Sequence, residues 1–248
     1  MIKLIEFSGL PGAGKTTLYE RVLKYIVESY DGISVVEKDD LYRPPRKPRY
    51  YPLICGSLRP ARMLRKTFFA DRNRYLLDID EAARLYQTPV PFQSRLIRML
   101  DGLRWLDKHG GENTLVFLDE GLVQHLSSLS YEEGLSLTGA TQRLAYEALN
   151  TYRPCIVDCC IPIETVMKRI GERNRAVRYD RYNLPDKEKG KKLLEIKRRN
   201  IETIISVYGG PVYHMDMEGS PERIADMLIS KLTPLLDEWF GSRKRIQP

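Results

Sequence analysis

The sequence predicts an α/β fold in which a doubly wound parallel sheet of about five strands is flanked by helices. Apolar segments of strand length alternate with helical patterns along nearly the whole chain, which is typical of βαβ units. We predict strands near residues 2–7, 33–37, 114–118, 155–160 and 211–215, and helices near residues 16–29, 61–85, 92–108, 140–150 and 187–207. At 248 residues, the chain fits a single domain spanning residues 1–248.

A glycine-rich loop lies between the first predicted strand and the first predicted helix. Its residues, Gly9 to Thr16, match the whole motif G-x-x-x-x-G-K-[ST], which defines the phosphate-binding P-loop. Glycines let successive backbone N–H groups point at phosphate oxygens, Lys15 reaches the β- and γ-phosphates, and the Thr16 hydroxyl binds Mg²⁺. The fold is therefore predicted to be that of a P-loop NTPase that uses ATP and Mg²⁺. The expected ATP-binding residues are Gly9, Pro11, Gly12, Ala13, Gly14, Lys15, Thr16 and Thr17.

Two acidic residues, Asp119 and Glu120, follow the third predicted strand. Ligands of open α/β sheets bind at the carboxyl ends of the strands, and a carboxylate at this position is typical of a Walker B motif. We expect Asp119 to bind Mg²⁺ together with Thr16, and Glu120 to act as its neighbour or as a catalytic base. A pair of solvated acids before a turn at Gly121 is the alternative.

A second acidic pair, Asp39 and Asp40, follows the second predicted strand. Either carboxylate could accept the proton of a substrate hydroxyl, while Arg43 holds an anionic group of the same substrate. Ordinary turn chemistry explains such a pair equally well. The base is thus left open among Asp39, Asp40 and Glu120.

Basic residues are concentrated in the segment from residue 43 to residue 74, where Asp71 is the only acid. The formal net charge of +7 indicates anionic partners, without choosing among nucleotides, nucleic acid and acidic surfaces. Prolines exclude residues 41–60 from a helix or a central strand, so we predict a long basic flap that faces the substrate. We expect Arg62 from the same basic stretch to contact the substrate.

A second basic segment begins after the fourth predicted strand. Arg169 and Arg173 lie four residues apart and therefore share one face of a helix. A mobile lid over residues 168–186, closing on the triphosphate, would stabilise transition-state charge and exclude water. The alternative is a solvated basic helix.

The expected location is the cytoplasm, because the sequence contains neither a signal peptide nor an apolar stretch long enough to span a membrane. Its cysteines lack metal-ligand spacing, which favours reduced, buried thiols over a redox or metal role. The three histidines, at positions 109, 125 and 214, form no motif. The oligomeric state is not predicted.

Together these residues resemble the nucleoside and nucleotide kinase group of P-loop proteins, most closely the thymidylate kinase-like family. The resemblance is carried by the P-loop, the carboxylates after the second and third strands, and the segments at residues 156–175 and 213–224. It implies that Arg169, Arg173 and Arg175 are lid arginines. Of these, Arg169 and Arg173 would be catalytic and Arg175 would contact ATP. It also implies that the adenine ring is flanked by Gly219, Ser220 and Pro221.

Two departures from the thymidylate kinase pattern limit the choice of acceptor. The Asp-Arg pair usual after the third strand is replaced by Asp119-Glu120. The Arg-Glu-Pro usual after the second strand is replaced by residues 38–43, which look more like the Asp-x-x-Arg element of adenylylsulfate kinase-like enzymes. Thymidylate as the acceptor does not follow.

The predicted function is that of an ATP- and Mg²⁺-dependent kinase acting on a nucleotide or nucleoside-like small molecule. A polynucleotide or modified-base nucleic-acid kinase is the first alternative, because a basic flap with tyrosines could track a phosphate backbone and stack bases. An adenylylsulfate kinase-like enzyme is the second, and a non-enzymatic nucleotide-binding module is the least favoured. The sequence lacks the Asn-Lys-x-Asp and Leu-Ser-Gly-Gly-Gln motifs typical of regulatory GTPases and ABC ATPases.

Overall fold

Five parallel strands form one sheet in the computed structural model, which describes residues 2–42, 74–88, 90–130, 139–172 and 186–241. The strands are β1 (Lys3–Gly9), β2 (Ser34–Val36), β3 (Thr114–Leu118), β4 (Cys155–Cys160) and β5 (Val212–Asp216). Their order across the sheet is β2-β3-β1-β4-β5, and every neighbouring pair is parallel. The predicted parallel α/β class is confirmed, and each predicted strand is present with bounds shifted by at most about two residues.

Helices lie on both faces of this sheet. They are α1 (Lys15–Ser29), α2 (Lys38–Tyr42), α3 (Arg74–Leu85), α4 (Val90–His109), α5 (Leu122–Leu126), α6 (Gly139–Tyr152), α7 (Ile163–Gly171), α8 (Lys187–Ser206) and α9 (Pro221–Phe240). None of them is both long and apolar enough to cross a membrane.

The start of the predicted flap is wrong in one respect. Residues 41 and 42 belong to helix α2 instead of a loop, because the Leu41 side chain is buried in the core beneath α4 and holds this turn in place. Residues 43–60 of the flap lie outside the described part of the chain, as do residues 61–73 of the basic segment.

The two faces of the sheet bury separate apolar clusters. Alternate side chains of β1 and β3 point to opposite faces: Phe7 and Phe117 pack beside α1 and α9, and Leu4 and Leu118 pack beside α4, α6 and α8. The helix after β1 and the helices after β3 therefore cover opposite faces. Where the chain leaves two neighbouring strands toward opposite faces, a crevice opens at the carboxyl ends of those strands. Open α/β sheets bind ligands in this crevice.

A buried carboxylate fixes the chain just beyond β3. Glu6 on β1 is fully buried, and its two oxygens accept hydrogen bonds from the backbone N–H groups of Leu122 (2.6 Å) and Val123 (2.9 Å) at the start of α5. Burial raises the pKa of Glu6 to about 7, although these hydrogen bonds oppose the shift. A Cβ atom at position 121 would collide with the Glu6 carboxylate. Gly121 therefore allows the close approach of this segment to Glu6.

Candidate active site

The P-loop joins β1 to α1 at the carboxyl end of the sheet. Gly12 and Gly14 have φ angles of 84° and 91°, in the left-handed region that costs glycine little and other residues more. Gly14 is the N-cap of α1, so the helix begins directly beneath the loop. The consecutive N–H groups and the positive end of the helix dipole form an anion-binding concavity.

The ammonium group of Lys15 is held within this loop. Its Nζ atom donates hydrogen bonds to the carbonyl oxygens of Gly9 and Leu10, each at 2.9 Å, and the residue is buried. The hydroxyl groups of Thr16 and Thr17 lie in the exposed first turn of α1. The loop thus presents one cation and two hydroxyl groups near the phosphate-binding backbone.

A cavity of about 430 Å³ opens beside the P-loop. Its walls come from the loop, the start of α1, the end of α7 and the turn between β5 and α9, and they include Gly12, Ala13, Gly14, Thr17, Leu18, Arg169, Glu172, Met217, Gly219, Pro221 and Ile224. Two residues predicted to flank an adenine ring, Gly219 and Pro221, therefore lie on the same cavity as the loop. A cavity of this size suits a small-molecule ligand.

Ser220, the third residue of that turn, serves as a helix cap. Its side chain accepts a hydrogen bond from the Arg223 backbone N–H at 3.3 Å, and Pro221 occupies the first position of α9. This is the local role that the sequence predicts for a Ser-Pro pair at a helix start.

Arg169 links the P-loop to the turn after β5. One guanidinium nitrogen lies 3.5 Å from the Gly12 carbonyl oxygen, and the other lies 3.4 Å from the Met217 carbonyl oxygen. Both distances are long for hydrogen bonds, so the guanidinium group is only weakly held. Arg173 and Arg175 lie outside the described residues, together with the rest of the predicted lid up to residue 185.

The acidic pair after β3 forms a compact ion cluster with a lysine from α2. The Lys38 Nζ atom lies 3.1 Å from Asp119 Oδ1 and 3.3 Å from Glu120 Oε2. Burial alone would lower the pKa of Lys38, but the two carboxylates outweigh it and raise that pKa. Burial alone would likewise raise the pKa of Glu120, but Lys38 and Lys15 outweigh it and lower that pKa. Glu120 is therefore ionised at neutral pH.

The acidic residues of α2 differ in their contacts. Asp40 Oδ2 accepts a hydrogen bond from the Glu37 backbone N–H at 3.1 Å, as the third residue of a helix does in a capping box. The Glu37 carboxylate accepts a hydrogen bond from the Tyr19 hydroxyl at 2.7 Å. Asp39 and Asp40 are both exposed. Glu37 lies at the same strand end but was not among the predicted base candidates, although the rule on carboxyl ends of strands would also have included it.

A histidine to which the sequence assigned no role lies close to this cluster. His125 is buried on α5, and its Nε2 atom is 2.9 Å from the Tyr42 hydroxyl oxygen. Burial lowers the pKa of His125 to about 4, so the ring is neutral at pH 7. The pair connects α2 to α5, and no local sequence pattern identifies it.

A buried lysine on α8 contacts residues on both sides of His125. The Lys197 Nζ atom donates hydrogen bonds to the Gln124 carbonyl oxygen (3.1 Å) and to the hydroxyl oxygens of Ser127 and Ser128 (2.7 Å each). Burial, followed by the positive charge of Lys15, lowers the pKa of Lys197 to about 7. Its sequence position within an ordinary basic helix gave no sign of this burial.

The predicted Mg²⁺ ligands are oxygen atoms. The Thr16 hydroxyl and the Asp119 carboxylate are hard donors of the kind that Mg²⁺ prefers, together with water and phosphate oxygens. This donor set fits Mg²⁺. Two predicted substrate contacts, Arg43 and Arg62, lie outside the described residues.

Comparisons with known proteins yield structural likeness alone. No family profile and no curated protein sequence matches the chain. Solved structures of deoxyadenosine kinase from M. mycoides are similar in fold. The one with bound dATP has a TM-score of 0.47 and 16% identity over 93% of this chain and 99% of that chain. The one with bound dCTP has a TM-score of 0.45 and 16% identity over 94% and 100% of the two chains.

A third structure of that kinase, with the products dCMP and a flexible dCDP, has a TM-score of 0.44 and 14% identity over 94% of this chain and 99% of that chain. Similarity at this level does not identify a substrate. The strand order, the left-handed glycines and the helix that begins beneath the loop define the P-loop NTPase fold of this chain.

Proposed function

We propose that this chain is an ATP- and Mg²⁺-dependent kinase that transfers the γ-phosphoryl group to a nucleoside or nucleotide-like small molecule. One observation carries the proposal: the P-loop and the acidic pair Asp119-Glu120 follow neighbouring parallel strands. In the register of β1 and β3, Glu6 lies beside Leu118, so the P-loop and the acidic pair both leave the sheet at the carboxyl ends of these strands. Phosphoryl transfer requires a phosphate cradle and carboxylates in this relation.

On the donor side, the backbone of the loop binds the phosphates and Lys15 supplies a positive charge to the β- and γ-phosphates. The adenine base occupies the cavity beside Gly219 and Pro221, and Arg169 moves from its weak contacts with backbone carbonyls onto the phosphates. Thr16 and Asp119 would hold Mg²⁺, which would act as a Lewis acid and offset the negative charge of the phosphates. Arg173 and Arg175 are proposed to join Arg169 when the lid closes.

On the acceptor side, a hydroxyl oxygen of the substrate attacks the γ-phosphorus. The bond to the β–γ bridging oxygen breaks, the hydroxyl proton passes to a carboxylate, and ADP leaves. Asp39, Asp40 and Glu120 remain the proposed bases, and the position of Glu37 adds a fourth. Lys38 lowers the pKa of Glu120, which keeps this carboxylate ionised but also makes it a weaker base than a carboxylate without such a neighbour.

Within the P-loop kinases, the thymidylate kinase-like group remains the narrower proposal. Its support is that Arg169 and the turn at residues 217–221 both line the cavity beside the P-loop, where the resemblance implies that they contact ATP. Arg43 and Arg62 are proposed to bind an anionic group of the acceptor. A small molecule is proposed as the acceptor, with nucleic acid as the alternative that the acceptor screen separates.

An acceptor screen tests the proposal. ADP formation from Mg·ATP would be measured with nucleosides, nucleoside monophosphates, adenylylsulfate, sugars and short oligonucleotides as separate acceptors. We expect at least one nucleoside or nucleotide to stimulate ADP formation well above the rate with water. Stimulation by oligonucleotides alone, with a steep dependence on salt, would instead indicate a nucleic-acid kinase. The absence of stimulation by any acceptor would contradict the kinase proposal.

A further inference from the structure

A cluster of three potential metal ligands lies on β4 and β5, apart from the residues proposed for phosphoryl transfer. Asp158 and His214 are neighbours in the register of these two strands. Cys160 follows two residues after Asp158, so both side chains point to the same face of the sheet. One ligand atom from each residue lies within 4.8 Å of the other two. The sequence had suggested neither a metal role for Cys160 nor any role for His214.

We propose that Asp158, Cys160 and His214 bind one Zn²⁺ ion. The His214 Nδ1 atom and the Cys160 Sγ atom each lie 3.1 Å from Asp158 Oδ2. Tetrahedral zinc with ordinary bond lengths separates such ligand atoms by about 3.3–3.6 Å. The observed separations therefore need to open only slightly for an ion to lie among the three atoms.

The chemistry of the ligands selects the ion. A thiolate and an imidazole are softer ligands than the carboxylates and hydroxyls that Mg²⁺ prefers, and together with a carboxylate they are typical of zinc. The proposed zinc site is therefore distinct in kind from the proposed Mg²⁺ site at Thr16 and Asp119. It is also distinct in place, because the intervening residue Cys159 points to the opposite face, toward the P-loop side of the sheet.

The second carboxylate oxygen of Asp158 supports the proposal. Asp158 is only 2% exposed, yet its Oδ1 atom has no hydrogen-bond partner among the described residues. A buried carboxylate without full compensation is costly, and a bound cation would supply that compensation. Arg198 on α8 approaches from the other side, with Nη1 at 3.8 Å from Asp158 Oδ1 and 3.7 Å from Cys160 Sγ. Its Nη1–H group donates a hydrogen bond to the Cys160 sulfur, and hydrogen bonds from outer residues commonly orient metal ligands.

Access to the proposed zinc site is open on one side. The His214 side chain is 65% exposed and Cys160 is half-buried, so an ion can enter without opening the core, and water can complete the coordination. The site also adjoins the nucleotide cavity, because the Met217 backbone N–H donates a hydrogen bond to the Cys160 carbonyl oxygen at 2.8 Å. Bound zinc would therefore fasten β4 to β5 directly before the turn that lines the cavity.

The test uses the whole 248-residue chain, freed of metal with a chelator and then titrated with Co²⁺ as a spectroscopic substitute for Zn²⁺. We expect one equivalent of Co²⁺ to produce thiolate-to-cobalt charge-transfer absorption and the visible bands of a tetrahedral ion, and Zn²⁺ to displace it. Cys160→Ser should abolish the charge-transfer absorption. His214→Ala should weaken binding by at least about 100-fold, since loss of even an outer partner of a ligand costs about 10–100-fold.

Matched controls separate this site from other thiols and histidines. Cys55→Ser, Cys159→Ala and His109→Ala should each leave the cobalt spectrum and the zinc affinity unchanged. His214→Ala removes an exposed side chain and keeps the test valid if Cys160→Ser fails to fold. An absence of charge-transfer absorption in the wild type, or its full retention in Cys160→Ser or His214→Ala, would show that the three residues form only a hydrogen-bonded cluster and would overturn the proposal.

Discussion

The proposed donor and acceptor halves of the candidate site are built in different ways. In the donor half, Lys15 contacts a carbonyl oxygen only 6 residues away, and the anion-binding groups belong to the backbone of one short loop. In the acceptor half, Lys38 contacts Glu120 across 82 residues and Tyr42 contacts His125 across 83 residues. Local backbone geometry therefore determines the first half, and the packing of distant helices determines the second.

This difference has a consequence for binding. The loop backbone already has the left-handed glycines that a phosphate-binding loop needs, so we expect little reorganisation when ATP binds. The acceptor half consists of partly exposed charged side chains whose contacts with one another must change when a substrate binds. We therefore expect substitutions in the donor half to act on every acceptor alike, and substitutions in the acceptor half to act on turnover with little effect on ATP affinity.

The largest expected effect is that of Lys15→Ala. Loss of the positive charge beside the β- and γ-phosphates should lower the rate of phosphoryl transfer by roughly 10³–10⁵-fold, the scale on which a single cationic group acts in this chemistry. Steady-state ADP formation measures it, and circular dichroism checks the fold. Lys24→Ala, an exposed lysine on the same helix, is the matched control and should retain full activity. Near wild-type turnover in a folded Lys15→Ala protein would remove the P-loop from the mechanism.

The next effect identifies the base in the acceptor half. Asp39→Asn, Asp40→Asn, Glu120→Gln and Glu37→Gln would be compared. The responsible substitution should lower kcat by roughly 10²–10⁴-fold, the range for a positioned proton acceptor. ATP affinity, measured by calorimetry, should stay nearly constant in that variant. If all four variants, and the Asp39→Asn/Asp40→Asn double variant, keep kcat within about twofold of wild type, none of these carboxylates is the base.

A smaller effect is expected at Arg169. Because its guanidinium group is only weakly held by Gly12 and Met217, it is free to move onto the phosphates as charge develops. Arg169→Ala should lower kcat by roughly tenfold or more and ATP affinity by less. Its exposed neighbour Lys168 provides the control, as Lys168→Ala should change neither quantity. If Arg169→Ala, Arg173→Ala and Arg175→Ala each keep kcat within about twofold of wild type, the predicted lid is a basic helix without a catalytic role.

The last effect is on stability instead of turnover and concerns Lys197, which links α8 to the residues around His125. Its pKa in the folded protein, about 7, lies below the ordinary 10.5, so between these values the unfolded chain binds a proton that the folded protein does not. The contribution of Lys197 to the free energy of unfolding therefore rises with pH across that window, by up to about 1.4 kcal/mol per pH unit. Below the window this contribution is constant.

Urea unfolding across that window measures the contribution of Lys197. Lys197→Met should lose this rise, whereas Lys192→Met, an exposed lysine on the same helix, should keep it. Equal pH dependence in all three proteins would show that the Lys197 ammonium group does not change its protonation on folding.

The difference between local and long-range contacts also explains which features the sequence could predict. The five strands and the phosphate loop follow from local periodicity and a contiguous motif, and they were predicted with nearly correct bounds. Lys38, Glu37 and His125 were missed because their roles depend on how α2 packs against the end of β3. Lys197 was missed because an isolated lysine in a basic helix resembles a solvated one until its buried partners are known. Cys160 and His214 were missed as a pair because only the pairing of β4 with β5 brings them together.

The central claim is tested most directly by following the γ-phosphoryl group itself. Wild-type protein and Lys15→Ala would be mixed in a single turnover with ATP labelled at the γ-phosphate, with and without the acceptor that the screen identifies. The label should appear on the acceptor, depend on Lys15, and stay on ATP when the acceptor is omitted. Release of the label as inorganic phosphate at the same rate with and without acceptor would show an ATPase and would contradict the assignment of these two halves to a kinase.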